Sequence, residues 1–129
     1  ARRLHLAPPD AAPLPAAVAR WLHVSGAPPV RYHDAEAVFA DALRGRPDAI
    51  LVDARAGAHG AAVAACRSLK GDAYTAVVPL GVLADDARAV ASLLGAGADE
   101  VITGDAGADE QTARLEALVR RAARDQWVH

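Results

Sequence analysis

Aromatic residues and cysteine are scarce in this chain, and methionine is absent. Only 4% of the residues are aromatic and a single one, Cys66, is a cysteine. One cysteine excludes a disulfide framework within the chain. Its neighbours Ala64, Ala65 and Leu69 mark a packed helical thiol rather than a reactive one. With so few rings available, the core has to be built from Ala, Val and Leu. An excess of one charge is also missing, since 14 Lys and Arg against 16 Asp and Glu leave a net charge of −2. That balance lacks the basic footprint of a nucleic-acid partner. The apolar runs are too short to span a bilayer, and Ala1–Leu6 has no continuous apolar stretch behind its arginines of the kind a signal peptide needs. A cytoplasmic protein is therefore expected, with neither nucleic acid nor membrane as its partner.

Several kinds of chemistry are also missing. The five histidines, His5, His23, His33, His59 and His129, show no ligand spacing. Pro8-Pro9 stands where a Gly-rich phosphate loop would follow the first apolar run, which disfavours nucleotide binding of the dinucleotide or P-loop kind. No Ser or Cys nucleophile stands in a recognisable pattern with a base.

What the chain does have is alternation. Five short apolar runs alternate with five helix-like segments over 129 residues, with no repeat or linker to divide them. Arg3–Ala7 is the first expected strand, halted by Pro8 and Pro9. Pro13–Val24 reads as a helix, with Leu14, Val18, Trp21 and Leu22 at helical spacing; Gly26 and Pro28-Pro29 close it. A second strand, Val30–His33, leads to Asp34, the N-cap of a helix over Ala35–Arg44 with Val38, Phe39 and Leu43 inward. The run Ala49–Val52 ends in Asp53 and has the unbroken apolar character of a central parallel strand. A helix is predicted from Ala61 to Leu69 and a fourth strand from Ala76 to Leu83, with Pro79 awkward in a sheet centre. Asp85-Asp86 opens a helix from Ala87 to Leu94, and Glu100–Thr103 is a short fifth strand. The last helix runs from Asp109 to about Asp125, with Leu115, Leu118 and Val119 inward and Arg114, Arg120, Arg121 and Arg124 on a solvated face.

Strict strand-helix alternation predicts a parallel five-stranded sheet with helices on both faces, a three-layer α/β sandwich. Right-handed crossovers favour the flavodoxin-like strand order 2-1-3-4-5. Ligands of such sheets gather at the carboxyl ends of the strands, near the switch in strand order. The residues offered there are Pro8, Pro9 and Asp10 after the first strand, Asp53 after the third, Leu83 and Ala84 after the fourth, and Thr103 and Gly104 after the fifth. Asp53 stands out as the acidic residue at the end of a buried strand. Arg55 and His59, in the loop that follows it, are cations within sequence reach.

Pro47-Asp48-Ala49-Ile50-Leu51-Val52-Asp53 resembles the third strand of the CheY-like receiver domains of two-component response regulators, which ends in the phosphoacceptor aspartate. Ala89–Thr103, with its core Gly95-Ala96-Gly97-Ala98-Asp99-Glu100, is similar to the receiver segment that carries the fourth helix into the fifth strand. The resemblance implies a receiver domain over residues 1–129, carried within a longer bacterial signalling polypeptide. Receivers phosphorylate their aspartate with the help of Mg²⁺, held by that aspartate and an acidic pair after the first strand. A hydroxyl after the fourth strand and a lysine after the fifth complete their switch. This chain departs from the pattern at each helper position. Pro8 and Pro9 replace the acidic pair, with Asp10 beyond them; Leu83 or Ala84 takes the hydroxyl position and Gly104 the lysine position. Asp53 alone matches residue for residue, and Asp10 with Asp53 makes at most a weak metal pair.

These departures lead to the expectation of a pseudo-receiver. It is not an enzyme and needs no cofactor, and it acts through protein contact or homodimerisation. Its partners are signalling proteins and an output domain, such as a diguanylate-cyclase-like module, or a second receiver in the same polypeptide. An alternative is a phosphoacceptor of a phosphorelay that uses Asp53, and then Mg²⁺, by non-standard chemistry. A further alternative is a small flavodoxin-like ligand-binding domain.

Overall fold

The unbroken apolar segment Ala49–Asp53 forms a strand buried along its whole length, and the rest of the architecture is arranged around it. The structure is a computed structural model that describes residues 3–23, 30–31 and 47–128. In chain order the elements are β1 (Arg3–Ala7), α1 (Ala16–His23), β2 (Val30–Arg31), β3 (Ala49–Asp53) and α2 (His59–Lys70). Then come β4 (Leu80–Ala84), a 3₁₀ turn (Ala87–Ala89), α3 (Val90–Gly95), β5 (Glu100–Thr103) and α4 (Ala108–Val128). The strands form one parallel sheet in the order β2-β1-β3-β4-β5, which is the flavodoxin-like order expected. The helix expected over Ala35–Arg44, and His33 at the end of the second strand, lie outside the described residues.

Alternation along β3 sends its side chains into two cores. Ile50 and Val52 join Leu4, Leu6, Cys66, Leu69, Val82, Leu93 and Val101 under α2 and α3. Ala49 and Leu51 join Val18, Trp21, Leu22, Leu83, Ile102, Leu115 and Leu118 under α1 and α4. Gly81 permits the second layer to close, because a Cβ there would stand 2.8 Å from Leu118 Cδ2. Arg3 lies over the Trp21 ring, 4.2 Å from its centroid, and donates from Nη1 to the Trp21 carbonyl.

Several boundaries differ from the sequence reading, and the last helix runs on to Val128. Helix α1 begins at Ala16 rather than Pro13, since Pro15 bars the preceding Leu14 from helical backbone. Helix α2 starts earlier than Ala61, at His59, behind an Ala58 that makes no side-chain cap. Strand β4 starts at Leu80 rather than Ala76. Residues 76–78 instead belong to a turned segment in which Ala76 N–H reaches the Asp72 carbonyl (2.8 Å) and Val78 N–H the Thr75 carbonyl (3.1 Å). Pro79 has no N–H with which to extend the ladder. The helix after Asp86 opens as a 3₁₀ turn, with the Asp86 carboxylate accepting from Arg88 N–H. Arg114, expected to be solvated, is half exposed and pairs with Glu100 at 2.7 Å and with Glu110 at 3.4 Å.

The Gly95–Glu100 signature lies at the amino ends of β4 and β5, at the opposite end of the sheet from Asp53. Gly97 has φ +115°, a conformation glycine adopts without strain. A Cβ there would also stand 2.8 Å from Lys70 Cγ. Asp99 donates its N–H to the Leu80 carbonyl (2.8 Å) and accepts Leu80 N–H on Oδ2 (2.8 Å). Lys70 Nζ joins the same oxygen at 2.8 Å and also donates to the carbonyls of Ala76 and Val78.

Candidate functional site

Strand β3 delivers Asp53 to the carboxyl edge of the sheet, where the parallel register sets it beside Leu83 of β4. The next register pair outward, Ala84 and Thr103, joins β4 to β5. Gly104 follows, its N–H donating to the Ala84 carbonyl at 2.7 Å. Leu83 and Ala84 are buried and offer no side-chain donor. Thr103 is half-buried and lines a groove with Val90, Leu94, Glu110 and Arg114 on the face of α3, β5 and α4. Its carbonyl accepts from Gln111 Nε2 (3.0 Å), a buried amide that the sequence reading did not single out. After β1, Pro8 is half-buried and closes a turn by accepting Ala11 N–H at 3.2 Å, while Pro9 and Asp10 are exposed.

Asp53 is buried to 1% exposure, and Arg55 holds it. The Arg55 backbone N–H and Nε both donate to Oδ1 at 3.0 Å, and Nη2 donates to Oδ2 at 2.8 Å. A planar guanidinium matches a carboxylate in this two-pronged way, and such charge-assisted bonds are among the stronger ones in proteins. The same guanidinium reaches across to the loop after β1. Nη1 donates to the Pro13 carbonyl (3.0 Å) and Nη2 to the Ala12 carbonyl (2.9 Å). The hydrogen bonds to Asp53 raise the Arg55 pKa above its usual value, with a further contribution from the charge of Asp85.

The backbone makes this fold-back possible. Ala56 (φ 55°) and Gly57 (φ 83°) are successive left-handed residues that reverse the chain directly after Arg55. Ala56 N–H donates to Asp85 Oδ2 at 3.1 Å, which ties the loop to the end of β4. Gly104 borders the Arg55 stem, and a Cβ there would meet Arg55 Cδ at 4.0 Å, an ordinary contact. His59 is not part of this cluster, because its Nε2 lies 3.2 Å from Ser92 Oγ on α3. Of the two cations considered from sequence, Arg55 reaches Asp53. The contact between Ala56 N–H and the Asp85 carboxylate was not legible in the sequence, because it joins two loops 29 residues apart.

No protein-family model and no curated protein matches this chain. Solved structures do match it in shape. A response regulator from Desulfuromonas acetoxidans superposes with TM-score 0.60 at 23% identity, covering 93% of this chain and 98% of that one. The receiver domain of a sensor histidine kinase from Pseudomonas aeruginosa superposes with TM-score 0.63 at 19% identity, covering 92% and 98%. NtrX from Brucella abortus gives TM-score 0.67 at 16% identity over 99% of this chain and 28% of that chain. The chain therefore has the fold of response-regulator receiver domains, with the flavodoxin-like sheet in the order the sequence implied.

The Pseudomonas receiver is described with a magnesium ion coordinated in its active-site cleft. The residues of the present chain do not fit such an ion well. Magnesium needs hard oxygen ligands in octahedral array. Both Asp53 oxygens already accept from Arg55, and Pro8 and Pro9 carry no side-chain oxygen. Among the described residues, no group of three or more acidic, histidine or cysteine side chains gathers to hold a metal.

Proposed function

We propose that this chain is a pseudo-receiver, a non-catalytic signalling module that works through protein contact rather than phosphoryl transfer. One observation carries the reading. The one candidate phosphoacceptor, Asp53, has both carboxylate oxygens engaged by Arg55, and the neighbouring strand ends present Leu83, Ala84 and Gly104. In-line attack on a phosphoryl group needs a free carboxylate oxygen and positive charge around the transferred oxygens. Here the cation within reach neutralises the nucleophile itself.

On this reading the domain signals through its surfaces. The face of α3, β5 and α4, where Thr103 lines a groove, is the natural place for a partner. Partners are an output domain, of diguanylate-cyclase-like or another kind, or a second receiver in the same polypeptide, or a second copy of the domain. The 28% coverage of the NtrX chain supports a receiver carried within a longer protein. A bacterial, cytoplasmic setting fits the receiver fold; no helix among the described residues is long and apolar enough to cross a membrane.

The test is direct. The protein is incubated with acetyl phosphate and Mg²⁺, and separately with beryllofluoride and Mg²⁺, and followed by intact mass and tryptophan fluorescence. No phosphoryl mass shift and no fluorescence change are expected. A shift that Asp53→Asn abolishes would establish the phosphoacceptor alternative instead.

A further inference from the structure

We infer that Arg55 is the resident cation of this site. It bridges the Asp53 carboxylate and the loop after β1, and it staples that loop to the strand end. The inference rests on the pseudo-receiver reading of the same site and adds a mechanical role to it. The five donor contacts of Arg55 divide between two separate parts of the chain. Three go to the Asp53 carboxylate, and two go to the main-chain carbonyls of Pro13 and Ala12, more than 40 residues away in sequence.

This division is the geometry of a bridge rather than of a simple ion pair. A side chain that only neutralised Asp53 would need no contact with residues 12 and 13. One that only braced the loop would not spend Nη2 on both the Ala12 carbonyl and Asp53 Oδ2. Positive charge between a strand-end carboxylate and loop oxygens is also what a divalent ion would supply. Here it is covalently attached and stays charged across the physiological range. The strand end of β3 and the loop between β1 and α1 are thus coupled without a dissociable ligand. The Ala56 contact to Asp85 extends the same fixed unit to β4.

The experiment uses the whole chain and two substitutions. Arg55→Met keeps the stem and removes the fork; Arg55→Lys keeps the charge but cannot reach both partners with a planar fork. Amide exchange at Ala11, whose N–H is held by the Pro8 carbonyl, is followed by NMR together with the amides of Ala12 and Leu14. Exchange at Ala11 is expected to rise about tenfold in Arg55→Met and to remain raised in Arg55→Lys. The Arg55 Nε–H resonance of the wild type is expected to persist, unmoved by millimolar Mg²⁺.

The staple is overturned if Arg55→Met leaves loop exchange at the wild-type rate, or if Arg55→Lys restores it. It is also overturned if Mg²⁺ saturably shifts the wild-type Arg55 Nε–H signal. Should Arg55→Met fail to fold, Asp53→Ala in an otherwise wild-type chain releases the carboxylate end of the bridge, and the same rise at Ala11 is required of it. These readouts are independent of the phosphorylation test. A phosphorylated wild type with a loosened loop in Arg55→Met sinks the function and keeps the staple; an unphosphorylated wild type with an unchanged loop does the reverse.

Discussion

Replacing Asp99 by alanine should destabilise the domain by about 3 kcal/mol, and the components of that figure are separable. The Asp99 carboxylate takes the place of a missing ladder partner. It accepts Leu80 N–H at 2.8 Å one residue before the β4–β5 register begins at Gly81 and Glu100. Leu80 is 1% exposed, so water cannot readily replace the lost acceptor. An orphaned buried donor costs about 1–3 kcal/mol. The ion pair to Lys70 adds less, because its partners are 19% and 27% exposed; about 1 kcal/mol is reasonable for a pair partly open to solvent. Asp99→Asn keeps an oxygen for Leu80 N–H and loses only the charge, so it should cost about 1 kcal/mol. The ordering is the test: urea unfolding of wild type, Asp99→Asn and Asp99→Ala, analysed at a common m-value, should show two unequal steps. A cycle with Lys70→Met should return a coupling of about 1 kcal/mol with Asp99→Asn. If Asp99→Ala costs no more than Asp99→Asn, the strand-end hydrogen bond is not what holds the amino edge of β4 and the reasoning fails.

Two further predictions concern a buried thiol and a strained turn. Burial pushes the Cys66 pKa up to about 11. The thiol stays protonated in the folded protein while it ionises in the unfolded chain, so its contribution to stability is present below pH 9 and lost as the pH rises toward 11. Denaturation of wild type and Cys66→Ala at pH 8 and pH 10.5 should show the excess wild-type loss, about 2 kcal/mol; equal losses in the two proteins would refute it. Ala56 adopts φ 55°, which costs a residue with a Cβ roughly 1 kcal/mol. Ala56→Gly should therefore raise stability by up to about 1 kcal/mol in thermal or urea melts. A fall of about 1 kcal/mol or more, the full cost of glycine's extra freedom in the unfolded chain, would show that the left-handed turn carries no strain.

How much of the site could be read in advance depended on how local its causes are. Asp53 was legible because a continuous apolar run dictates a central parallel strand, and the residue that ends such a strand lies at the ligand edge of the sheet. The poor donor set at Leu83, Ala84 and Gly104 was legible for the same reason, since strand order and length fix which residues line that edge. The start of β4 was misread. Val77 and Val78 look like strand by composition, but Lys70 holds the carbonyls of Ala76 and Val78 and Pro79 interrupts the ladder. The Gly95–Glu100 signature was recognised without its role. Gly97 and Asp99 secure the end of the sheet remote from Asp53, a division visible only once the strands are placed side by side.

The sequence by itself determined the strand-helix alternation, the apolar centre and the carboxylate at its edge. These follow from periodicity, burial and the stop signals of proline and glycine, all of which act within a few residues. Tertiary structure alone decided what Asp53 faces. Arg55 could as well have pointed into solvent as toward the strand end; the backbone reversal at Ala56 and Gly57 and the carbonyls of Ala12 and Pro13 settle its direction. Those carbonyls come from a loop distant in sequence, and no pattern of residue types announces where a main-chain oxygen will stand. A long-range contact between a guanidinium and backbone acceptors leaves no signature in side-chain identity, so the bridge that closes this site belongs to the fold rather than to any motif.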